Sequence, residues 1–298
     1  MAPIRVSAVI PTVGRPTIAD AVMSALAQAT PELLMEVVVS VDGTDSVASE
    51  IRKSLPSCVK VICSNRKSNG NSARNRGIQA ATGSIIALLD DDDLWVKDKI
   101  RKQLAASPTD HDSWVTTSAV ETFGNSVREL WPVRPPNKDE DIADYMMVRE
   151  HIRSLPKWLQ SSTWLGPREV FLRNPFDETL NIHQDIDWIV RNRNNVEIFY
   201  VPEALTLYRT GAGATMSSQS RITDSLKWVL QSDLELSARA RHDFALCVST
   251  VFSSRKGEVA KTIRAIRVLR QHGSPSICAL TVYSFRILTA LLNKMRQK

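Results

Sequence analysis

The sequence predicts an α/β fold with a mostly parallel central sheet, followed by a C-terminal helical region. Three observations carry this. Short β-rich runs recur through the first ninety residues, helical periodicity fills the gaps between them, and beyond Ser220 the pattern becomes helical throughout. The strand-like runs are "RVSAVI", "EVVVSV", "VKVIC" and "SIIALL", each followed by a polar or glycine-containing turn. After "RPT", which starts a helix well, Ile18, Val22, Ala25, Leu26 and Ala29 recur at helical spacing. Strands alternating with helices imply βαβ units, and such sheets bind ligands beyond the carboxyl ends of their strands. Polar site residues follow three of the runs: "PTVGR" the first, Asp42 the second, and Asp90 to Asp93 the fourth.

From Trp114 to about Arg209 the pattern mixes short strands, prolines and tryptophans, and "PVRPPNKDED" reads as a loop. Farther on, Ile222, Leu226, Val229 and Leu230 share one helical face, and "EVAKTIRAIRVLRQ" is amphipathic. After the breaker "HGSP", the apolar segment "ICALTVYSFRILTALL" is short and carries Arg286, so it is not read as a membrane span. No signal peptide is expected, because Arg5 is followed by only the short run "VSAVI".

At 298 residues, 43% apolar and 23% charged, the chain can bury a sizeable core. Its four cysteines form no CxxC pair and its five histidines show no metal-ligand spacing, which fits free thiols in a reducing cytoplasm. The net charge of +6 is unevenly spread: from Arg255 onward there are ten Lys/Arg against one acid, Glu258. Such a region suits nucleic acid, an anionic membrane surface or simply water.

The four consecutive aspartates after "SIIALL" pose the main chemical question. Carboxylates crowded at a strand end repel one another unless something positive lies among them. A divalent cation is the economical answer, since Mg²⁺ and Mn²⁺ take hard oxygen ligands and bind through one or two carboxylates plus substrate phosphates. The plainer alternative is an acidic turn capping the helix "VKDKIRKQL".

Four segments in order carry a family resemblance: "AVIPTVGRP", "VVVSVDGTD", "SNGNSARNRGIQAATGSIIALLDDDDLW" and "FDETLNIHQDIDWIVR". Together they resemble a family 2 glycosyltransferase with a GT-A fold, over residues 4 to 210. The resemblance implies that Asp90 and Asp92 form a DxD motif, with Asp92 the direct ligand of Mn²⁺ or Mg²⁺ and Asp90 or Asp91 reaching the ribose. It implies nucleobase contacts from Asp42 and Arg74, a nucleotide pocket lined by Thr12, and Asp185 as general base. Tyr208 and Arg209, in "LTLYRTGAGATMS", resemble a segment that closes over the donor. The implied reaction is inverting transfer from a nucleotide sugar, UDP-sugars first and dTDP- or GDP-sugars open, to a glycan or lipid-linked acceptor. The implied organisation is a GT-A domain over 1–215, with a nucleotide-sugar half 1–112 and an acceptor half 113–215, then helices over 216–298.

Several positions depart from the family pattern. Gln184 stands where Glu is usual, "VDGTD" lacks a double Asp, the glycine-to-Arg74 spacing is one residue short, and no histidine follows "LYR". Asp187 lies close enough to Asp185 that only the motif separates them. Trp114, Trp131, Trp158, Trp164 and Trp188 fall in the acceptor half, where aromatic faces stack on sugars but also build cores. Trp164 is the expected acceptor contact; His183 is given no role. Lys261, Arg264, Arg267 and Arg270 recur every third residue and "KMRQK" ends the chain, which suits anionic lipid on the cytoplasmic face of a membrane. No nucleic-acid partner is expected. The rival readings are a sugar nucleotidylyltransferase, which needs a glycine-rich basic loop that "PTVGRP" does not supply, and an inactive GT-A scaffold that binds membrane or nucleic acid through its basic region. A dinucleotide oxidoreductase lacks its GxGxxG.

Overall fold

The computed structural model describes residues 3–124, 128–152, 157–210, 222–249 and 273–296. The first ninety residues form β1 (Ile4–Thr12), α1 (Ile18–Leu26), β2 (Leu33–Val41), α2 (Asp45–Ser54), β3 (Lys60–Cys63), α3 (Gly70–Ala80) and β4 (Ile85–Leu88). The expected alternation is present, although β2 begins earlier than its β-rich run because Leu33 pairs with Ile4. Then come β5 (Leu94–Trp95), α4 (Lys99–Ala105), β6 (Trp114–Phe123), β7 (Leu130–Trp131), α5 (Ile142–Met147), β8 (Leu165–Pro167), α6 (Arg168–Arg173), α7 (Gln184–Asn192) and β9 (Glu197–Arg209). The described C-terminal helices are α8 (Ile222–Val229), α9 (Ala238–Phe244) and α10 (Ile277–Arg296).

One mixed sheet runs β3-β2-β1-β4-β8-β6-β9-β5, with β7 beside β6. The first four strands are parallel; β8 runs against both β4 and β6, and β9 is parallel to β6. β1 is buried from Val6 to Thr12 because both of its faces are covered. Val6, Ala8 and Ile10 join Val37, Val39 and Val41 in a core closed by Ile18, Ala21, Val22 and Ala25 of α1 and by Ala48 and Ile51 of α2. On the other face α3 packs on β1 and β2. A Cβ at Gly77 would lie 2.4 Å from Val9 Cγ1, so glycine permits that close approach. The result puts the ends of β1, β2 and β4, with the polar start of α3, at one edge of the sheet.

The chain divides into two compact units, one of Met1–Pro135 and Trp158–Gly213, the other of Pro136–Lys157 and Ala214–Lys298. This differs from the expected linear division at 215, because residues 136–157 belong with the C-terminal helices. The reason is packing: α5 buries Ala143, Tyr145, Met146 and Met147 and contacts α9. Within the second unit, the Trp228 and Phe244 rings pack tilted, with centroids 5.1 Å apart. The buried Asp243 accepts N–H bonds from Arg149 (2.9 Å) and Ser276 (2.8 Å). The amphipathic run 258–271 and the segment after Thr210 lie outside the described residues. Among the described residues no helix is long and apolar enough to cross a membrane.

Candidate functional site

The site is built where β4 gives out. Past Leu89 the four carboxylates alternate: Asp91 and Asp93 are buried, while Asp90 and Asp92 are half-exposed. Each buried carboxylate is tied down. Asp91 accepts from the Thr12 hydroxyl at 2.5 Å and pairs with Arg15 Nη1 at 2.6 Å. Asp93 accepts from the Ser162 hydroxyl at 2.6 Å and the Arg209 backbone N–H at 3.0 Å. Burial nevertheless raises the pKa of Asp91, and that of Asp93 strongly, with Asp90 adding to both.

Asp92 also meets Arg15 Nη1, at 3.1 Å. Burial first, then the neighbouring Asp90, pushes its carboxyl up to about 6 even so. One guanidinium therefore does not balance the negative charge gathered here. Among the described residues no three His, Cys, Asp or Glu side chains converge into a ready-made metal cage. A hard-oxygen carboxylate with excess negative charge, open on one side, still fits Mg²⁺ or Mn²⁺ held jointly with a diphosphate.

The candidate base comes from the other half of the first unit. Asp185 sits in the first turn of α7, preceded by His183 in the left-handed conformation (φ 58°). Its Oδ2 accepts the Ser161 backbone N–H at 3.0 Å. Burial raises its pKa, opposed by the positive charge of Arg74. Asp187 is instead buried against Arg191, 2.9 Å away, which distinguishes it from Asp185. Burial lowers the His183 imidazole to about 4.

Arg74 connects the two halves. Its guanidinium is buried, donating to Asp90 Oδ1 at 2.6 Å and to Gln184 Oε1 at 2.9 Å, and it lies 5.6 Å from the Phe176 ring centroid. The departure at Gln184 thus supplies a neutral acceptor for this cation. The loop before α7 is pinned to α3: Asn71 donates to the Asp177 carbonyl, Asn75 to the Phe176 carbonyl, and Asn69 to the Glu178 carbonyl. Ser72 and Asn75 also hold the Glu178 carboxylate, lowering its pKa.

Several expectations need correction. Thr12 is buried, accepts the Gly14 N–H at 2.9 Å and donates to Asp91, so it braces the site rather than lining an open pocket. Asp91 has both oxygens engaged, by the Thr12 hydroxyl and Arg15, whereas Asp90 is half-exposed. Arg74 is bonded to Asp90 and Gln184. Around Asp42, whose Oδ1 accepts the Ser68 N–H (2.6 Å) and hydroxyl (2.9 Å), the neighbouring cation is Arg76, bonded to Ser68 Oγ and the Val41 carbonyl. Trp164 is completely buried among Phe176 and Trp188 and donates to the Leu159 carbonyl, so its ring is unavailable to an acceptor. Tyr208 is half-buried beside Trp131, ring centroids 5.7 Å apart; burial, then Asp93, raises its phenol. Arg209 secures the aspartate row, its Nε donating to the Asp92 carbonyl at 3.0 Å and its guanidinium 4.5 Å from the Phe123 centroid. Sequence reasoning missed Arg15 and Ser162. Arg15 stood in plain view in "PTVGRP", whereas nothing local marks Ser162.

A family model described as "Glycosyl transferase family 2" matches residues 7–165, more than half of the chain. The chain belongs to that family. It is 32% identical over 138 residues to the amylovoran biosynthesis glycosyltransferase AmsB of Erwinia amylovora, a match covering 45% of this chain and 44% of that protein. The chain thus matches less than half the length of that curated relative. Two solved structures share the architecture at 16% identity: S. aureus TarS 1–349 in complex with UDP-GlcNAc (TM-score 0.59, 91% of this chain and 82% of the other) and the mannosyltransferase PcManGT from Pyrobaculum calidifontis in complex with GDP-Man and Mn²⁺ (TM-score 0.53, 100% and 83%). The fold of this family 2 member is therefore the expected GT-A type, a mixed α/β sheet flanked by helices.

Proposed function

We propose that the protein transfers a sugar from a nucleoside-diphosphate sugar to a hydroxyl of a glycan or lipid-linked acceptor, with inversion. The observation that carries this is that buried Arg74 brings the half-exposed Asp90 and the candidate base Asp185 around one cation, with Asp92 two residues on in the same aspartate row. In a single displacement the acceptor oxygen attacks the anomeric carbon, its proton passes to the Asp185 carboxylate, and the diphosphate leaves with the bonding electron pair. Burial raises the Asp185 pKa and so makes it a stronger base than an exposed carboxylate, while the positive charge of Arg74 opposes that rise. Asp92 would hold Mg²⁺ or Mn²⁺, which when bound supplies charge neutralisation to the leaving diphosphate. Arg15 holds Asp91 and Asp92 in place. Asp42, oriented by Ser68, faces the nucleobase in this reading, and Arg76 replaces Arg74 beside it. A UDP-sugar is the favoured donor, in keeping with the TarS complex. Trp131 and Tyr208 are the better aromatic pair for an acceptor.

A thermal-shift panel of UDP, dTDP, GDP and CMP, each with Mn²⁺ or EDTA, tests the donor side. One nucleotide should stabilise only with metal, by roughly 2.7 kcal/mol at about a hundred times its Kd, and Asp92→Ala should remove the effect. Asp185→Asn should keep that binding and lose transfer. Stabilisation by no nucleotide would instead favour the inactive-scaffold reading.

A second element of the proposal concerns location. On α10, Ile277, Leu280, Phe285 and Leu288 are exposed along one side, while Ala279 and Val282 on the other are buried. An apolar stripe in a region with ten Lys/Arg against one acid suits the face of an anionic bilayer on the cytoplasmic side. Lys261, Arg264, Arg267 and Arg270 lie outside the described residues. Phe285→Glu with Leu288→Glu should abolish sedimentation with phosphatidylglycerol vesicles. Retained sedimentation would sink the idea, as would a dimer in solution that the double variant dissociates.

A further inference from the structure

The short 3₁₀ turn Ser161–Thr163 lies between the donor-side aspartates and the base and is itself completely buried. Its residues face the two groups in succession. The Ser161 backbone N–H donates to Asp185 Oδ2 at 3.0 Å. The next residue, Ser162, uses its one hydroxyl twice: it donates to Asp93 Oδ2 at 2.6 Å and accepts the Asp90 backbone N–H at 3.1 Å. A single peptide unit therefore separates the anchor of the base from the anchor of the aspartate row.

The turn is held rigidly from behind. The Ser162 carbonyl accepts from Trp95 Nε1 at 2.9 Å and the Thr206 hydroxyl at 3.3 Å. The Thr163 carbonyl accepts from Gln103 Nε2 at 2.7 Å and Lys99 Nζ at 3.4 Å, and the Thr163 hydroxyl meets that of Thr117 at 2.6 Å. Gln103, Lys99, Thr117 and Thr206 are all fully buried. Of the buried polar side chains of these three residues only the Ser161 hydroxyl lacks a partner, and so many satisfied bonds fix a unique local geometry.

From this geometry we propose that Ser162 is a positioning residue, whose hydroxyl sets the aspartate row at a fixed distance from the base anchored by its neighbour Ser161. It touches neither donor nor acceptor. The proposal rests on the transferase reading above and names a determinant of the rate of that same site. Transfer needs the leaving diphosphate and the base aligned on opposite faces of one carbon, and a displacement of about 1 Å can cost about a hundredfold. Nucleotide binding needs only the donor side.

The test compares wild type, Ser162→Ala and Ser162→Cys, the thiol keeping a weak donor at similar volume. In hydrogen–deuterium exchange, Ser162→Ala should loosen residues 88–94 and 184–188 together, and Ser162→Cys less. Unchanged exchange over 184–188 would overturn the coupling. In kinetics, Ser162→Ala should lower kcat by about ten- to a hundredfold, hold the Kd for UDP with Mn²⁺ within about threefold, and recover in part as Ser162→Cys. An unchanged kcat would overturn the proposal, as would a fall that Ser162→Cys does not relieve. If the wild type transfers no sugar from any nucleoside-diphosphate donor, the transferase reading fails, and the exchange comparison still decides the coupling.

Discussion

Replacing Arg74 by Met probes the centre of the site with little change in volume. What is lost is the charge, its bonds to Asp90 and Gln184, and the guanidinium contact 5.6 Å from the Phe176 ring centroid. Breaking a buried ion pair by removing one partner costs about 3–5 kcal/mol. The Asp90 side chain is 32% exposed, and solvent there reduces the cost to about 2–3 kcal/mol. At about 2–4 °C per kcal/mol for a unit of this size, Tm should fall by about 4–12 °C.

The pH dependence gives a sharper signature. Asp185 has its folded pKa raised by burial and restrained by Arg74. A raised carboxylate binds more protons folded than unfolded, so its contribution to stability is full below the unfolded value and is lost as pH rises through the folded one. Without Arg74 that folded pKa rises further, because the positive charge that opposes the effect of burial is gone. The Tm gap between wild type and Arg74→Met should therefore be wide at neutral pH and narrow as pH falls toward the ordinary carboxylate range. The acid limb of kcat should move to higher pH by the same cause, because the base must be ionised. Circular-dichroism melts across this range, with a pH–rate profile, measure both. A gap independent of pH, or an acid limb that stays in place, would refute the role given to Arg74.

Three further outcomes follow from packing and burial. Gly77→Ala drives a methyl into Val9 and should destabilise by about 1–3 kcal/mol, with Val9→Ala in the same chain relieving part of the loss in urea unfolding. Burial lowers the Lys99 pKa well below its ordinary value, so the unfolded chain binds more protons and stability rises with pH through that window. Lys99→Met should flatten this rise, read as a narrowing difference in urea midpoint from wild type between acidic and alkaline pH. Trp164→Phe should cost about 1–3 kcal/mol in Tm and leave the acceptor KM within about twofold. A changed KM at unchanged Tm would restore Trp164 as an acceptor contact.

The alternating pattern of the first half was legible because each strand's β-rich run and each helix's apolar face are local properties. The four aspartates were legible as a site for a related reason: their density is costly wherever the chain places them. Partnership was far less legible. Arg74 was assigned to a nucleobase, but buried guanidinium groups take the nearest carboxylate, and Asp90, sixteen residues on, arrives beside it only when α3 packs against β1. Trp164 was the expected acceptor contact, with core packing the alternative, and only the meeting of β8 with β4 and β6 shows it enclosed. Residues 136–157 looked continuous with the sheet because a proline-rich loop does not announce which unit its following helix joins. Ser162 gave no signal, since its role depends on residues more than twenty positions away on either side.

The alternation past Leu89 resolves the oddity of a hydrophobic strand ending in four carboxylates. Residues 90–93 form a turn in which the Asp93 N–H donates to the Asp90 carbonyl at 3.2 Å, and buried and half-exposed side chains alternate along it, so the four carboxylates do not all face one way. Asp91 and Asp93 turn inward, where Thr12, Arg15, Ser162 and the Arg209 backbone receive them. Asp90 and Asp92 are left facing outward, spaced by two residues. The inward pair ties the row to β1 on one side and to β9 and the 161–163 turn on the other. The outward pair is thereby held at the mouth of the site without depending on one another. The four carboxylates thus form two pairs, one anchoring and one that meets the ligand in the proposed reaction, and removing an inward member should damage the fold and the chemistry together.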